Sequence, residues 1–379
     1  WPDRIYQGLY RIAGTDQKER IPRSYSTQMQ VMINTLNDIR TSDKQISGTH
    51  GIGVLMANSL MFQRFPDHNG YDDPQFSSFY GQTLPLLKRG IPVELVHMEN
   101  TPFKDTFNGL QVLVMSYSNM KPMKSEYHNY LADWVKKGGT LVYCGEDVDP
   151  YQTVLEWWNT AGNAYKAPSE HLFEAMGLSR NPGDGTYRFG KGTVIVMRED
   201  PKHFVLKGGN DRKYFETIVS AYESKTGKKI EIKNNFMVER GPYTIAAVMD
   251  ESSSKEPLKL SGLYIDLFDK DLPVLTVKQI NPGEQGYLYD LNKVLGKVKA
   301  KVLCGASRIY DEKVGKQSYS FVAKSPLHTT NVSRVLLPRK PGKVLVNGKA
   351  EQPEWDESSK TLLLSFENDP AGVNVSIEW

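Results

Sequence analysis

Several things are scarce in this sequence, and each scarcity excludes something. Only two cysteines occur in 379 residues. Cys144 and Cys304 fall in segments read below as different domains, so no disulfide framework is expected, and no zinc-type cysteine spacing exists. No apolar run approaches the roughly 20 residues that a membrane-spanning helix needs. Basic residues (47) and acidic residues (44) nearly cancel, leaving a net charge of +3. The lysines and arginines are scattered, without the clustered positive charge that offsets phosphates in a nucleic-acid partner. His50, His68, His97, His128 and His328 show no metal-ligand spacing. The Gly48–Gly53 stretch GTHGIG precedes its strand instead of following it, so it is no phosphate cradle. No metal and no cofactor are therefore expected. The chain opens on Trp1 instead of Met, which leads us to expect a processed product or a fragment.

What is present reads as two textures. Residues 1–45 form a lead-in, in which apolar residues at Met29, Met32, Ile33, Leu36 and Ile39 predict a helix over Tyr25–Ile39. Residues 46–228 alternate strand-like and helix-like segments, the signature of an open, mainly parallel sheet with helices on both faces. The central strands are expected at Val54–Ala57, Val93–Val96, Val112–Met115, Leu141–Tyr143 and Val194–Val196, all apolar and rich in β-branched residues. Helices are expected over Phe76–Arg89, Lys124–Lys137, most of Val154–Leu178, and Asp211–Thr226. From residue 229 to 379, short β-rich runs follow one another between turn signals such as Asn281-Pro282-Gly283 and Asn347-Gly348, which predicts an all-β sandwich. The fold class is therefore an α/β open, mainly parallel sheet of flavodoxin-like type, followed by a β-sandwich.

Chemistry-bearing residues are few. Cys144 ends a predicted strand at a glycine turn, but a thiol nucleophile needs a histidine base held by a carboxylate. His171, on a predicted helix, is one option. Glu146, Asp147 and Asp149 crowd the loop after Cys144, yet glycosidase chemistry needs two carboxylates on opposite sides of a sugar. No complete catalytic set assembles, so the catalytic entry is none, with Cys144, Glu146 and His171 as the candidates that come nearest. A different group is more coherent. Phe62, Phe65 and Tyr71 follow the first strand, Tyr117 the third, and Tyr151 and Trp157 the fourth. Ligands bind open α/β sheets outside the carboxyl ends of their strands, so these six aromatics are expected on one rim, where they suit a sugar face or a subunit contact. For Trp157 and Trp158, adjacent on a predicted helix and so pointing in two directions, core packing is the competing reading.

The segments IPVELVHMEN (91–100) and FNGLQVLVMSYSNMKPMKSEYHNYLADWVKKGGTLVYCG (107–145) resemble the trimerisation domain of family 42 beta-galactosidases, which belongs to the glutamine-amidotransferase-like superfamily. FGKGTVIVMRED (Phe189–Asp200) resembles the closing strand of the same domain. VERGPYTIAAVMDES (238–252) and the ending VNVSIEW resemble the β-sandwich domains that follow it. The match covers residues 50–200 by motif and the rest by texture. Members of that family carry an upstream (β/α) barrel with two catalytic carboxylates, for which there is no room before residue 50, so residues 1–45 are expected to be a connector from such a barrel. In true amidotransferases a His and a Glu lie near the end of the domain; here Glu199 and His203 come in the reverse order. The resemblance implies an accessory, itself non-catalytic region of a glycoside hydrolase that assembles into a homo-oligomer or packs on an upstream barrel, acts toward carbohydrate, and is exported to the periplasm or beyond. Two rivals are a self-standing amidotransferase-like hydrolase using Cys144 and a carbohydrate-binding module.

Overall fold

The computed structural model describes residues 9–11, 13–39, 44–62 and 76–379, without the side chains of 61 and 62. The chain divides into two compact units. One comprises Ser47–Phe236 and Glu251–Lys255; the other comprises the described residues of Trp1–Ile46, together with Met237–Asp250 and Glu256–Trp379.

The first unit is built on a six-stranded sheet. Its order is Glu94–His97, Ile52–Met56, Val112–Met115, Thr140–Cys144, Gly192–Met197 and Gly185–Phe189. The first five strands run parallel, with Val54 opposite Leu95, Val114 opposite Val142, and Val142 opposite Ile195; Gly185–Phe189 returns antiparallel at the edge. In chain order the parallel strands read 2-1-3-4-5, the flavodoxin-like winding, whose direction reverses between Ile52–Met56 and Val112–Met115. Strands covered on both faces must be apolar throughout, and the runs IGVLM, VLVM and TLVYC are buried along nearly their whole length. Glu94–His97, expected to be central, is an edge strand that exposes Glu94 and Leu95.

Side-chain alternation divides the core into two layers. On one face Leu113, Met115, Leu141 and Tyr143 meet Tyr127, Leu131 and Val135 of the Glu126–Lys136 helix and Leu172 and Phe173 of the Pro168–Ala175 helix. On the other, Val54, Val114, Val142 and Cys144 meet Leu86 of the Ser77–Leu87 helix and Tyr214, Phe215 and Ile218 of the Arg212–Thr226 helix. The last helix stops at Gly227, which takes a left-handed φ of 70° and returns its N–H to the Glu223 carbonyl.

A second expectation about this unit fails, and one strand was not foreseen. Val154–Leu178 is helical only over Pro168–Ala175; residues 154–164 form tight turns. Side-chain N–H groups there take the backbone carbonyls that a helix would use. Asn159 Nδ2 donates to the Val154 carbonyl, Asn163 Nδ2 to that of Trp157, and Trp158 Nε1 to that of Gln152. The Gly185–Phe189 strand was not anticipated; its half-exposed alternation is weak.

In the second unit a six-stranded antiparallel sheet has the order Val274–Ile280, Leu258–Asp266, Gln285–Asp290, Tyr243–Val248, Asn235–Arg240 and Lys44–Ile46. A four-stranded and a five-stranded antiparallel sheet, built from residues 301–378, enclose a core that includes Tyr319, Phe321, Val335, Leu362, Val375 and Ile377. The predicted lead-in helix is present as Arg23–Asp38 and buries Val31 against Tyr243, Ile265, Tyr287 and Leu303. Cys304 is buried and unpaired, and burial pushes its thiol pKa up to about 12.

The closest backbone approach in the first unit fixes one residue type. A Cβ on Gly81, within the Ser77–Leu87 helix, would sit 1.8 Å from the Pro201 carbonyl oxygen. Gly183 has open space around it. Gly81→Ala should therefore lower the unfolding free energy by about 1–3 kcal/mol, the usual cost of overpacking, whereas Gly183→Ala should leave it level or raise it by about 0.4–1 kcal/mol. Urea unfolding of both variants reads the difference; equal effects would contradict the packing.

Candidate functional site

The loops at the carboxyl ends of the parallel strands are tied to one another by polar groups that are buried. At the switch point, after Met56, Ser59 Oγ donates to the Lys121 carbonyl at 2.6 Å and accepts from the Lys121 N–H at 2.9 Å. Lys121 follows the Val112–Met115 strand, and its Nζ donates to the Tyr117 carbonyl at 2.5 Å and to Asp149 Oδ2 at 2.7 Å. The two side chains are 4% and 1% exposed. Asp149 also accepts from the Tyr151 N–H and from Gln152 Nε2. Burial lowers the Lys121 pKa, against the opposing pull of Asp149. Three strand ends thus meet on one ion pair.

The next brace lies one strand further across. Asp147, held at a left-handed φ of 61°, accepts from the Tyr143 hydroxyl, from Ser169 Oγ at 2.7 Å and from Arg198 Nη1 at 2.7 Å. Asp200 accepts from Ser118 Oγ at 2.6 Å and from the Glu146 N–H at 3.1 Å. Asp147 and Asp149 are therefore committed to buried cations and hydroxyls. Glu146 is exposed.

A buried aromatic and imidazole chain completes the site. The Tyr117 hydroxyl lies 2.5 Å from His128 Nε2, and His128 Nδ1 lies 2.8 Å from His171 Nδ1. Burial raises the Tyr117 pKa and lowers that of His128, with the neighbouring His171 adding to the latter. A protonated phenol and a neutral imidazole make a relay whose direction follows the His128 tautomer: with the proton on Nδ1, Tyr117 donates to His128 and His128 to His171; with it on Nε2, both bonds reverse. Trp157 packs edge-on against both imidazoles and donates Nε1 to the Pro122 carbonyl at 2.9 Å. Tyr165 packs edge-on against His171, and its hydroxyl donates to Glu174. The chain links the buried Tyr117 hydroxyl to the half-exposed His171.

Of the residues singled out in the sequence, Tyr117 and Trp157 come together through the two histidines, and Tyr151 stands on the turn that Asp149 caps. Trp157 and Trp158 lie in turns, not on the helix expected there. Phe65 and Tyr71 lie outside the described residues, as does the side chain of Phe62. Cys144 and His171 do not meet. The residue before Cys144, Tyr143, points into the layer that holds the His171 helix, so Cys144 points into the opposite one, among Val54, Val142, Met197 and Tyr214. Burial pushes the Cys144 thiol pKa up, away from the thiolate a nucleophile requires. Lys121, Ser59, Ser118, Arg198 and Asp200 were not anticipated, and His128 was read as bland. Among the described residues no group of three or more His, Cys, Asp or Glu is placed to hold a metal ion, and no helix is long and apolar enough to cross a membrane.

No family model and no curated protein matches the chain. Among solved structures it is similar to the beta-galactosidase from Bacillus circulans sp. alkalophilus, with a TM-score of 0.42 and 11% identity over 69% of this chain and 43% of that one. It is similar to Gan42B, a GH42 beta-galactosidase from G. stearothermophilus, with a TM-score of 0.37 and 13% identity over 63% and 40%. It is also similar to the beta-galactosidase from the psychrophilic Marinomonas ef1, with a TM-score of 0.36 and 10% identity over 69% and 41%. The chain thus spans about two fifths of the length of these three proteins.

The brace at the switch point has a measurable strength. Lys121→Met leaves the Asp149 carboxylate buried without its cation and should cost about 3–5 kcal/mol of unfolding free energy. Combining it with Asp149→Leu should recover much of that loss, because no unpaired charge remains. A double-mutant cycle in urea checks both; a single variant within about 0.5 kcal/mol of the parent protein would refute the brace.

Proposed function

We propose that the chain is an accessory region of a carbohydrate-active glycoside hydrolase, non-catalytic in itself, whose α/β unit assembles with further copies of the chain through its carboxyl rim. The parent protein would carry its acid and base in an upstream barrel, with residues 1–45 leading from it. The unit boundaries proposed from the sequence, 46–228 and 229–379, belong to this reading.

One observation carries it. The loops after Val112–Met115 and Thr140–Cys144 expose Met123, Val148, Val154 and Leu155, the last at 80%, on a rim that the Lys121–Asp149 and Arg198–Asp147 pairs hold in place. Apolar side chains on a braced loop keep their geometry without collapsing onto their own domain, which is what a subunit contact needs. The segment resemblance to a trimerisation domain gives the same reading for these same loops. The buried thiol of Cys144 and its separation from His171 support the non-catalytic part and count against the amidotransferase-like rival.

Val148→Ser combined with Leu155→Ser tests the reading. Both side chains are exposed, so stability should move by no more than about 0.5 kcal/mol, while sedimentation should show a smaller species than the parent chain forms. A parent chain that sediments as a monomer at micromolar concentration, or a variant of unchanged size, would overturn it.

A further inference from the structure

A cleft of the α/β unit lies away from the rim, and its charged side chains are of one sign. It has a volume of about 400 Å³ and lies beside the amino-terminal end of the Thr140–Cys144 strand. Its floor is a row across three strands. Thr140 pairs with Thr193, and Thr193 with Arg188, whose Nη1 lies 3.3 Å from Thr193 Oγ1. Ser220, Ser224 and Lys225 of the Arg212–Thr226 helix form one wall. Lys191, in the turn between the last two strands, closes the cleft. A Cβ built on Gly138 would lie 3.3 Å from Lys225 Nζ and 3.9 Å from Lys191 Cβ, so the two lysines flank the same glycine.

No carboxylate lines this cleft, and among the described residues Arg188, Lys191 and Lys225 form no ion pair. The carbonyl end of the adjoining helix contributes about half a negative charge, against three full positive ones. Around them stand hydroxyl groups able to donate to oxygen. Cations and hydroxyls without an acid match a tetrahedral oxyanion, which accepts from both. A single sulfate or phosphate group would leave most of the cleft unfilled, so the oxyanion is one part of a larger ligand.

We propose that this cleft binds an oxyanion ester, sulfate or phosphate, carried on a saccharide. The saccharide half rests on the carbohydrate reading above; the oxyanion half stands without it. The test is calorimetric titration of the full chain with four probes: a sulfated disaccharide from heparin, the same disaccharide desulfated, inorganic sulfate and inorganic phosphate. The sulfated disaccharide should bind, and the other three should bind at least about ten-fold more weakly, the scale of one charge-assisted hydrogen bond. Lys191→Gln with Lys225→Gln should weaken the sulfated probe by about a hundred-fold, one such bond per lysine. Lys228→Gln with Lys229→Gln, of equal charge change nearby, should leave it within about two-fold. Equal losses in the two pairs, or no binding of the sulfated disaccharide, would overturn the proposal. Inorganic sulfate binding as tightly as the sulfated disaccharide would overturn its saccharide half. None of these outcomes bears on rim assembly, which sedimentation reads separately.

Discussion

The ion pair between Lys121 and Asp149 is the constraint on which the rim depends. Both side chains are almost wholly buried, so the pair stabilises only while both partners are present and hydrogen-bonded. Its satisfaction draws in the Tyr117 carbonyl, the Ser59 hydroxyl through the Lys121 backbone, and Gln152. Those groups belong to the loops after the first, third and fourth parallel strands. Asp147 repeats the device one strand further on, taking Arg198 from after the fifth. The edge of the sheet where open α/β folds place their ligands is thus knitted by buried charge, and its apolar side chains are left facing outward.

The pleat of the Thr140–Cys144 strand decides what chemistry this edge can support. Tyr143 and Cys144 fall on opposite faces. The imidazoles of His128 and His171 lie on the Tyr143 side, and the thiol on the other. No loop movement at the rim brings a histidine through a packed sheet. What remains on the Tyr143 side is a chain of neutral donors and acceptors from Tyr117 to His171, edged by Trp157 and Tyr165. It is suited to holding aromatic surfaces in position.

The strands were legible because burial on both faces demands apolar residues, and Val112–Met115 and Thr140–Cys144 have almost nothing else. The Glu126–Lys136 helix was legible from its spacing and the Gly138-Gly139 stop. Residues 154–164 were read as helix, whereas the side-chain amides of Asn159 and Asn163 take the carbonyls there. The braces were invisible for a different reason. Lys121 and Asp149 are 28 residues apart, Ser118 and Asp200 are 82 apart, and no local spacing rule links either pair. Only the winding of the sheet brings them together. Of the aromatics singled out in the sequence, Tyr117 and Trp157 converge through His128, a residue with no signal of its own in the sequence.

Native-state hydrogen exchange at the rim tests the account most directly. If buried charge holds these loops, the amides of Ser118, Lys121, Gly145 and Glu146 should exchange only through large openings. Their opening free energies should lie within about 1–2 kcal/mol of those for Val114 and Val142 in the central strands. Opening free energies near zero at these four amides, with the strands still protected, would show a rim that moves independently of the sheet and would contradict the account.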